Sequence, residues 1–250
     1  MKNKIVYYGL LAVLIGVFAF SAYKLGDYWL AKIKSDKLNS ELSMFVGLDS
    51  TGNGQSGNSE NGDPEHIKVD FAALCEEYED IVAWIYCPNT KINYPIVQST
   101  DNEYYLYRLL DGTWNVNGTI FMDYRNNADF SDGNTMIHGH HMKTGAMFGQ
   151  LNDYKKQSFY EEHPYMYIYT PEQDYRIDLI AGCIVESVSD IYDTEPSSSA
   201  VWDCINSSTF VADVEYSGGK IVTLSTCTYE YDDARYVVLG ELVPIEVEGE

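Results

Sequence analysis

A cysteine, three histidines and an arginine carry the chemistry this sequence can do. Cys227 ends the run Ile221-Val222-Thr223-Leu224-Ser225-Thr226, which follows Gly218-Gly219 and reads as a short, buried, β-branched strand. Arg235 stands eight residues further on, at the head of a second apolar run, Tyr236-Val237-Val238-Leu239. The polar stretch 228–234 between them can turn back as a hairpin, which sets a guanidinium beside a sulfur. A free thiol titrates at about 8.5 and is mostly protonated at neutral pH; a fixed cation favours the thiolate, the nucleophilic form. A third strand-like run, Thr135-Met136-Ile137-His138, continues into Gly139-His140-His141-Met142. Cysteine with histidine is a nucleophile with its proton carrier, because an amine expelled from an acyl group must collect a proton and an imidazolium can supply it. Arg235 stays protonated and so cannot be the base; it can hold the negative charge that develops on a substrate carbonyl.

These side chains come from distant segments, so the fold must bring several strand ends together. Strand-like runs recur at 82–87, 92–97, 119–123, 135–138, 165–169, 175–183, 220–226 and 235–243, punctuated by Asn89, Pro95, Gly112, Gly118 and Gly133. A short amphipathic helix is expected at 69–78, with Phe71, Leu74 and Cys75 on one face, and helical inserts at 146–160 and 197–207. Many short strands with few helices point to a mostly β chain closed into a barrel, since closure removes exposed strand edges. On a strand His138 and His140 share a face and His141 points away. That geometry splits the histidines, and no nearby cysteine or carboxylate completes a tetrahedral set, so a zinc site is unsupported.

Composition narrows the partners. The chain has 250 residues, 45% hydrophobic and 14% aromatic, enough for one domain with a sizeable core plus an appendage. Its formal net charge of −22 argues against nucleic acid, which needs a basic face, and against docking on anionic lipid through charge alone. The cysteines Cys75, Cys87, Cys183, Cys204 and Cys227 show no CxxC spacing. With Cys227 reactive, the other four can be buried thiols or disulfide pairs; buried thiols are favoured, because a domain this large folds without disulfide staples.

The N-terminus has its own character. Residues 5–23 carry no charged side chain and are long enough to span a bilayer as a helix. A signal-anchor is expected at 1–26, with Ala19-Phe20-Ser21 offering the alternative of signal cleavage. Lysines flank the run on both sides, so charge does not set its orientation. Leu38, Leu42 and Phe45 recur at helical spacing, which predicts a juxtamembrane helix over 27–48. Residues 49–63 are Gly, Asn and Ser with few apolar groups and read as a flexible linker, leaving 64–250 as the folded domain.

Thr223-Leu224-Ser225-Thr226-Cys227 with Arg235 downstream resembles the sortase signature, and the stretch His138-Gly139-His140-His141-Met142, Met147-Phe148, Leu151 resembles the class B sortases around their histidine. Trp84-Ile85, 93–98, Tyr104-Tyr105-Leu106, Phe121-Met122-Asp123-Tyr124-Arg125-Asn126 and Gln157-Ser158-Phe159-Tyr160 resemble the same class in order and spacing, over roughly residues 69–243. The resemblance implies a closed sortase-type β-barrel with short inserted helices and an N-terminal helical appendage. It implies a cysteine transpeptidase held at the cell membrane by a single pass, with its catalytic domain outside. Cys227 would be the nucleophile, His140 the acid/base and Arg235 the oxyanion and substrate-positioning group. Asn102, Leu106, Tyr192 and Ser225 would bind the substrate. That substrate would be a secreted protein with a C-terminal sorting motif cleaved after Thr, and the acceptor a cell-wall precursor or protein amine. No cofactor is implied. The family more often has Tyr at the place of His138, which adds a second imidazole whose effect on the site the pattern does not predict. Asp232 and Asp233 read as solvated loop charges, either able to orient the guanidinium. Water as acceptor would make the chain a cysteine peptidase, and a barrel using these residues otherwise would be a surface binding protein.

Overall fold

The computed structural model describes residues 2–48 and 67–245; the expected linker at 49–63 lies outside the described residues. Helix α1 (Lys2–Leu42) is one helix of 41 residues, about 60 Å at about 1.5 Å per residue. Its most apolar window has a mean hydropathy of 1.9, so by length and composition it can cross a membrane. It runs unbroken through residue 26, where the sequence suggested a junction, and past residue 27 it carries i,i+4 pairs, Lys32–Asp36 and Lys37–Glu41.

The second compact unit begins at Leu42. A 3-10 turn (Ser43–Phe45) leads into β1 (Val46–Leu48), which pairs antiparallel with β2 (Ile67–Val69). Residues 43–48, expected to extend the juxtamembrane helix, thus form a turn and a strand. Asp70 then caps α2 (Phe71–Glu77) by accepting from the Ala73 N–H at 3.1 Å, satisfying one of the donors that a first helical turn leaves free.

Eight strands close the barrel: β3 (Ile81–Tyr86), β4 (Asn93–Gln98), β5 (Phe121–Met122), β6 (Asn134–His138), β7 (Tyr165–Tyr169), β8 (Tyr175–Glu186), β9 (Ile221–Cys227) and β10 (Ala234–Pro244), in the order β10-β8-β7-β3-β4-β5-β6-β9. The β4–β5 and β6–β9 pairs are parallel and the others antiparallel. A 3-10 segment (Gly149–Lys155) and α3 (Gln157–Glu162) fill one helical insert, and α4 (Ser198–Asn206), capped by Ser197, the other.

Side chains alternate across each strand, and this decides where the chemistry goes. Ile137 of β6, Val222 and Leu224 of β9, and Tyr236 and Val238 of β10 belong to the main core, inside the barrel. Ile221 of β9 and Val237 and Leu239 of β10 belong to a second apolar cluster with Val201 and Cys204 of α4, outside it. The period of two puts Cys227 with Ile221 and Arg235 with Val237 and Leu239. Cys227 and Arg235 therefore stand on the outer face of the barrel wall.

That outer cluster corrects one expectation. Cys183 of β8 and Cys204 of α4 form a disulfide, with their Cα atoms 5.6 Å apart; Cys75, Cys87 and Cys227 are free thiols. The core is large enough for the barrel, as expected, but α4 lies outside it. A helix this short is marginal alone, and the disulfide fastens it to β8. Cys87 is buried beside the Tyr154 hydroxyl at 3.7 Å, and burial pushes its thiol up to about 11. With its cysteines 21 positions apart in sequence, the disulfide contributes about 3 kcal/mol on the loop-entropy model. The Cys183→Ala/Cys204→Ala double variant is expected to lose about that much in urea denaturation. The denatured native chain should titrate three thiols without reductant and five after reduction.

Candidate active site

The β9–β10 ladder pairs Cys227 directly with Arg235, and the parallel β6–β9 ladder pairs Ser225 with His138. Two further bonds carry the junction past the end of β6: the Gly139 N–H donates to the Ser225 carbonyl at 3.1 Å, and the Thr226 hydroxyl donates to the Gly139 carbonyl at 2.8 Å. His140 is thereby delivered next to the end of β9. Gly139 is needed at this bend because a Cβ there would lie 2.8 Å from the Phe148 ring. The His140 Nε2 lies 2.7 Å from the Leu106 carbonyl oxygen, and the ring packs against Tyr107 with centroids 5.5 Å apart.

These groups open into one cavity of about 450 Å³. All seven residues singled out in the sequence line it: Cys227, His140, Arg235, Asn102, Leu106, Tyr192 and Ser225. Cys227, His140 and Arg235 are half-buried, reachable by a substrate yet partly shielded from water. The Tyr192 hydroxyl hydrogen-bonds the Ser225 hydroxyl at 2.7 Å. Burial, partly offset by Ser225, pushes Tyr192 up to about 12, so it stays a neutral phenol at physiological pH. A thiol, an imidazole and a guanidinium converging on a cleft can perform acyl transfer, with the remaining wall gripping an extended chain.

A sortase-domain family model matches residues 85–243 of the chain. Sortase B of Listeria monocytogenes is 33% identical over 242 residues, 92% of this chain and 94% of that protein. Sortase B of Staphylococcus aureus is 30% identical over 189 residues, 72% of this chain and 78% of that one. The chain belongs to the sortase family. Its relatives place it in class B, as a sortase B-type transpeptidase. Among solved structures, sortase B from Bacillus anthracis superposes with a TM-score of 0.69 at 30% identity, over 87% of this chain and all of that one. A Staphylococcus aureus sortase B-substrate complex superposes with a TM-score of 0.66 at 29% identity, over 70% of this chain and 85% of that one.

This sortase builds one wall of its cleft around a buried carboxylate. Asp123 accepts two bonds from the Arg125 guanidinium, each at 2.9 Å, and one from the Asn102 amide at 2.9 Å, with the His138 Nε2 at 3.3 Å. Burial alone would raise its carboxyl; the donors, Arg125 foremost, outweigh this and hold it well below the ordinary carboxylate range. Asn102 is thus partly engaged within the wall, its carbonyl also accepting from the Tyr124 N–H at 3.0 Å. His138, the departure from the family pattern, has Nε2 on Asp123 and its ring stacked on Tyr192. His141 lies off the cavity lining, its ring stacked on Tyr229. Burial, opposed by the Cys227 carbonyl, lowers its imidazole below the usual value.

Sequence reasoning gave no role to Asp123, Arg125, Tyr107, Phe121 or Ser187, all of which line the cavity. The motif Asp123-Tyr124-Arg125-Asn126 was visible; an acid two residues before an arginine was its readable signal. Lys155 also went unread. From the 3-10 segment it donates to the Thr228 hydroxyl and the Glu230 carboxylate, each at 2.6 Å, fixing the loop that follows the thiol. This pairing lowers Glu230 to about 2. Asp232 and Asp233 are exposed, while the Arg235 Nη1 donates to its neighbour's carbonyl, that of Ala234, at 3.1 Å.

The Asp123 network carries a stability prediction with a definite sign. A carboxyl lowered in the folded state adds stability that is present above its unfolded pKa, about 3.9, and lost as pH falls below it. Asp123→Asn should destabilise the fold by about 2–4 kcal/mol at neutral pH, and the gap to wild type should narrow in acid. Chemical denaturation at a series of pH values checks this.

Proposed function

We propose that this sortase is a membrane-anchored, extracytoplasmic transpeptidase that cuts a C-terminal sorting motif after Thr and joins the protein to an amine. The observation that carries the reading is the direct pairing of Cys227 with Arg235 in a cleft that also holds His140. The Cys227 thiolate attacks the threonine carbonyl carbon, and the resulting oxyanion is held by the Arg235 guanidinium. Collapse breaks the C–N bond, the leaving nitrogen takes a proton from His140, and a thioester remains on Cys227. An acceptor amine, from a cell-wall precursor or another protein, then attacks the thioester. It gives its proton to His140 and releases the thiolate.

Leu106, Ser225 and Tyr192 shape the groove for an extended peptide, and Asn102 reaches it from the Asp123 wall. The apolar part of α1 supports anchoring, with the barrel on the outer side. The Cys183–Cys204 disulfide supports the same placement, since disulfides persist in oxidising compartments.

Incubating the protein with a library of threonine-containing peptides, with and without an amine, tests the reading by mass spectrometry. Expected are an acyl adduct on Cys227 and an amine-dependent ligated product, both absent from Cys227→Ala. Products that are hydrolysed at the same rate whether or not amine is present would identify a peptidase instead. Arg235→Lys keeps the charge but loses the planar fork, and its kcat should fall about 100-fold or more. Steady-state kinetics measure this.

A further inference from the structure

The imidazole of His140 is held by main chain. A carbonyl oxygen can only accept, so the nitrogen 2.7 Å from the Leu106 oxygen, Nε2, must carry hydrogen. A neutral imidazole has a single N–H, which leaves the lone pair on Nδ1. We propose that the Leu106 main-chain carbonyl is a positioning group that fixes His140 in the Nε2–H tautomer, so that Nδ1 is the atom exchanging protons with substrate. The inference rests on the catalytic reading of Cys227 and His140 given above.

The carbonyl's place is built by a second segment. Leu106 lies in a 3-10 turn (Tyr105–Tyr107), and the loop that follows returns alongside it. The Tyr105 carbonyl accepts from the Thr119 N–H at 3.0 Å and the Tyr107 carbonyl from the Asn115 N–H at 2.9 Å, while the Leu106 carbonyl between them meets the imidazole. Gly118 passes directly against this turn with φ +58°; a Cβ there would lie 2.5 Å from the Leu106 oxygen and 2.7 Å from the Tyr105 oxygen. Only glycine lets the loop pack this closely in that conformation.

The arrangement does for His140 what a buried carboxylate does in a Ser-His-Asp site, orienting the ring and choosing its tautomer. It differs in charge: a neutral carbonyl supplies direction without a counter-ion, so the imidazolium draws less stabilisation from it. In the first half-reaction the proton on Nδ1 passes to the leaving nitrogen as the C–N bond breaks. In the second, the attacking amine returns a proton to Nδ1 as the C–S bond breaks.

Nitrogen NMR on the full chain labelled with 15N-histidine, at a pH where the ring is neutral, reads the tautomer without turnover. His140→Gln identifies the signal among the five histidines. Expected are a pyridine-type Nδ1 and a pyrrole-type Nε2. Two variants weaken the device: Gly118→Ala, and replacement of Tyr107 by its α-hydroxy acid, which turns the Leu106 amide carbonyl into a poorer ester acceptor. Both should move the ring toward Nδ1–H. Both should lower kcat on the order of tenfold, about 1.4 kcal/mol of barrier, with KM within about twofold. Should Gly118→Ala fail to fold, the ester variant decides. An Nδ1–H ring in an active wild-type enzyme overturns the inference alone, as does an ester variant with wild-type tautomer and kcat. An Nε2–H ring in a wild-type protein that ligates no peptide overturns the catalytic reading on which the inference stands.

Discussion

Arg235 meets Cys227 because the two are opposite residues in one antiparallel ladder, and the rest of the site is hung on that register. A slip of one residue would move every side chain of β10 to the other face of the wall. Arg235 would turn into the barrel, and Tyr236 and Val238 would leave the core they fill. The slip is therefore opposed by packing far from the thiol. Two outward positions further along β10, Val237 and Leu239, are pinned by the cluster beneath α4 in the same way. The apolar residues of the barrel thus hold a charged group in place that contributes nothing to the core itself.

The opposite wall of the cleft uses polar rather than apolar constraint. Asp123 is nearly inaccessible and would be costly as an isolated charge, but the donors around it come from separate segments. Arg125 and Asn102 tie two loops together through one carboxylate, and His138 brings in the end of β6. The second imidazole on the cavity face, which the sequence left without a partner, is occupied by that carboxylate and by Tyr192. His140, by contrast, is held by a carbonyl and an aromatic ring.

Strand positions were legible because alternation and turn residues marked them. Tyr165–Tyr169 falls where the pattern put it, and the other barrel strands differ at their ends by a few residues. The seven residues drawn from the sequence share one cavity because five ordered motifs, rather than a single cysteine, selected them. The disulfide was not legible: it depends on α4 folding back over β8, a tertiary placement that local pattern does not encode. The turn and strand at 43–48 were missed for a related reason. Their apolar residues continue a helical period, and only pairing with β2 makes β1 a strand. Lys155 and Asp123 were hidden because a charge read in isolation is most often a solvated one.

Parallel pairing of β6 with β9 joins segments more than eighty residues apart, and such long-range ladders are slow to form. Until the β6–β9 and β9–β10 ladders have both closed, Cys227 has neither the Arg235 guanidinium nor the His140 segment beside it. The cleft is therefore complete only when β9 and β10 are both seated.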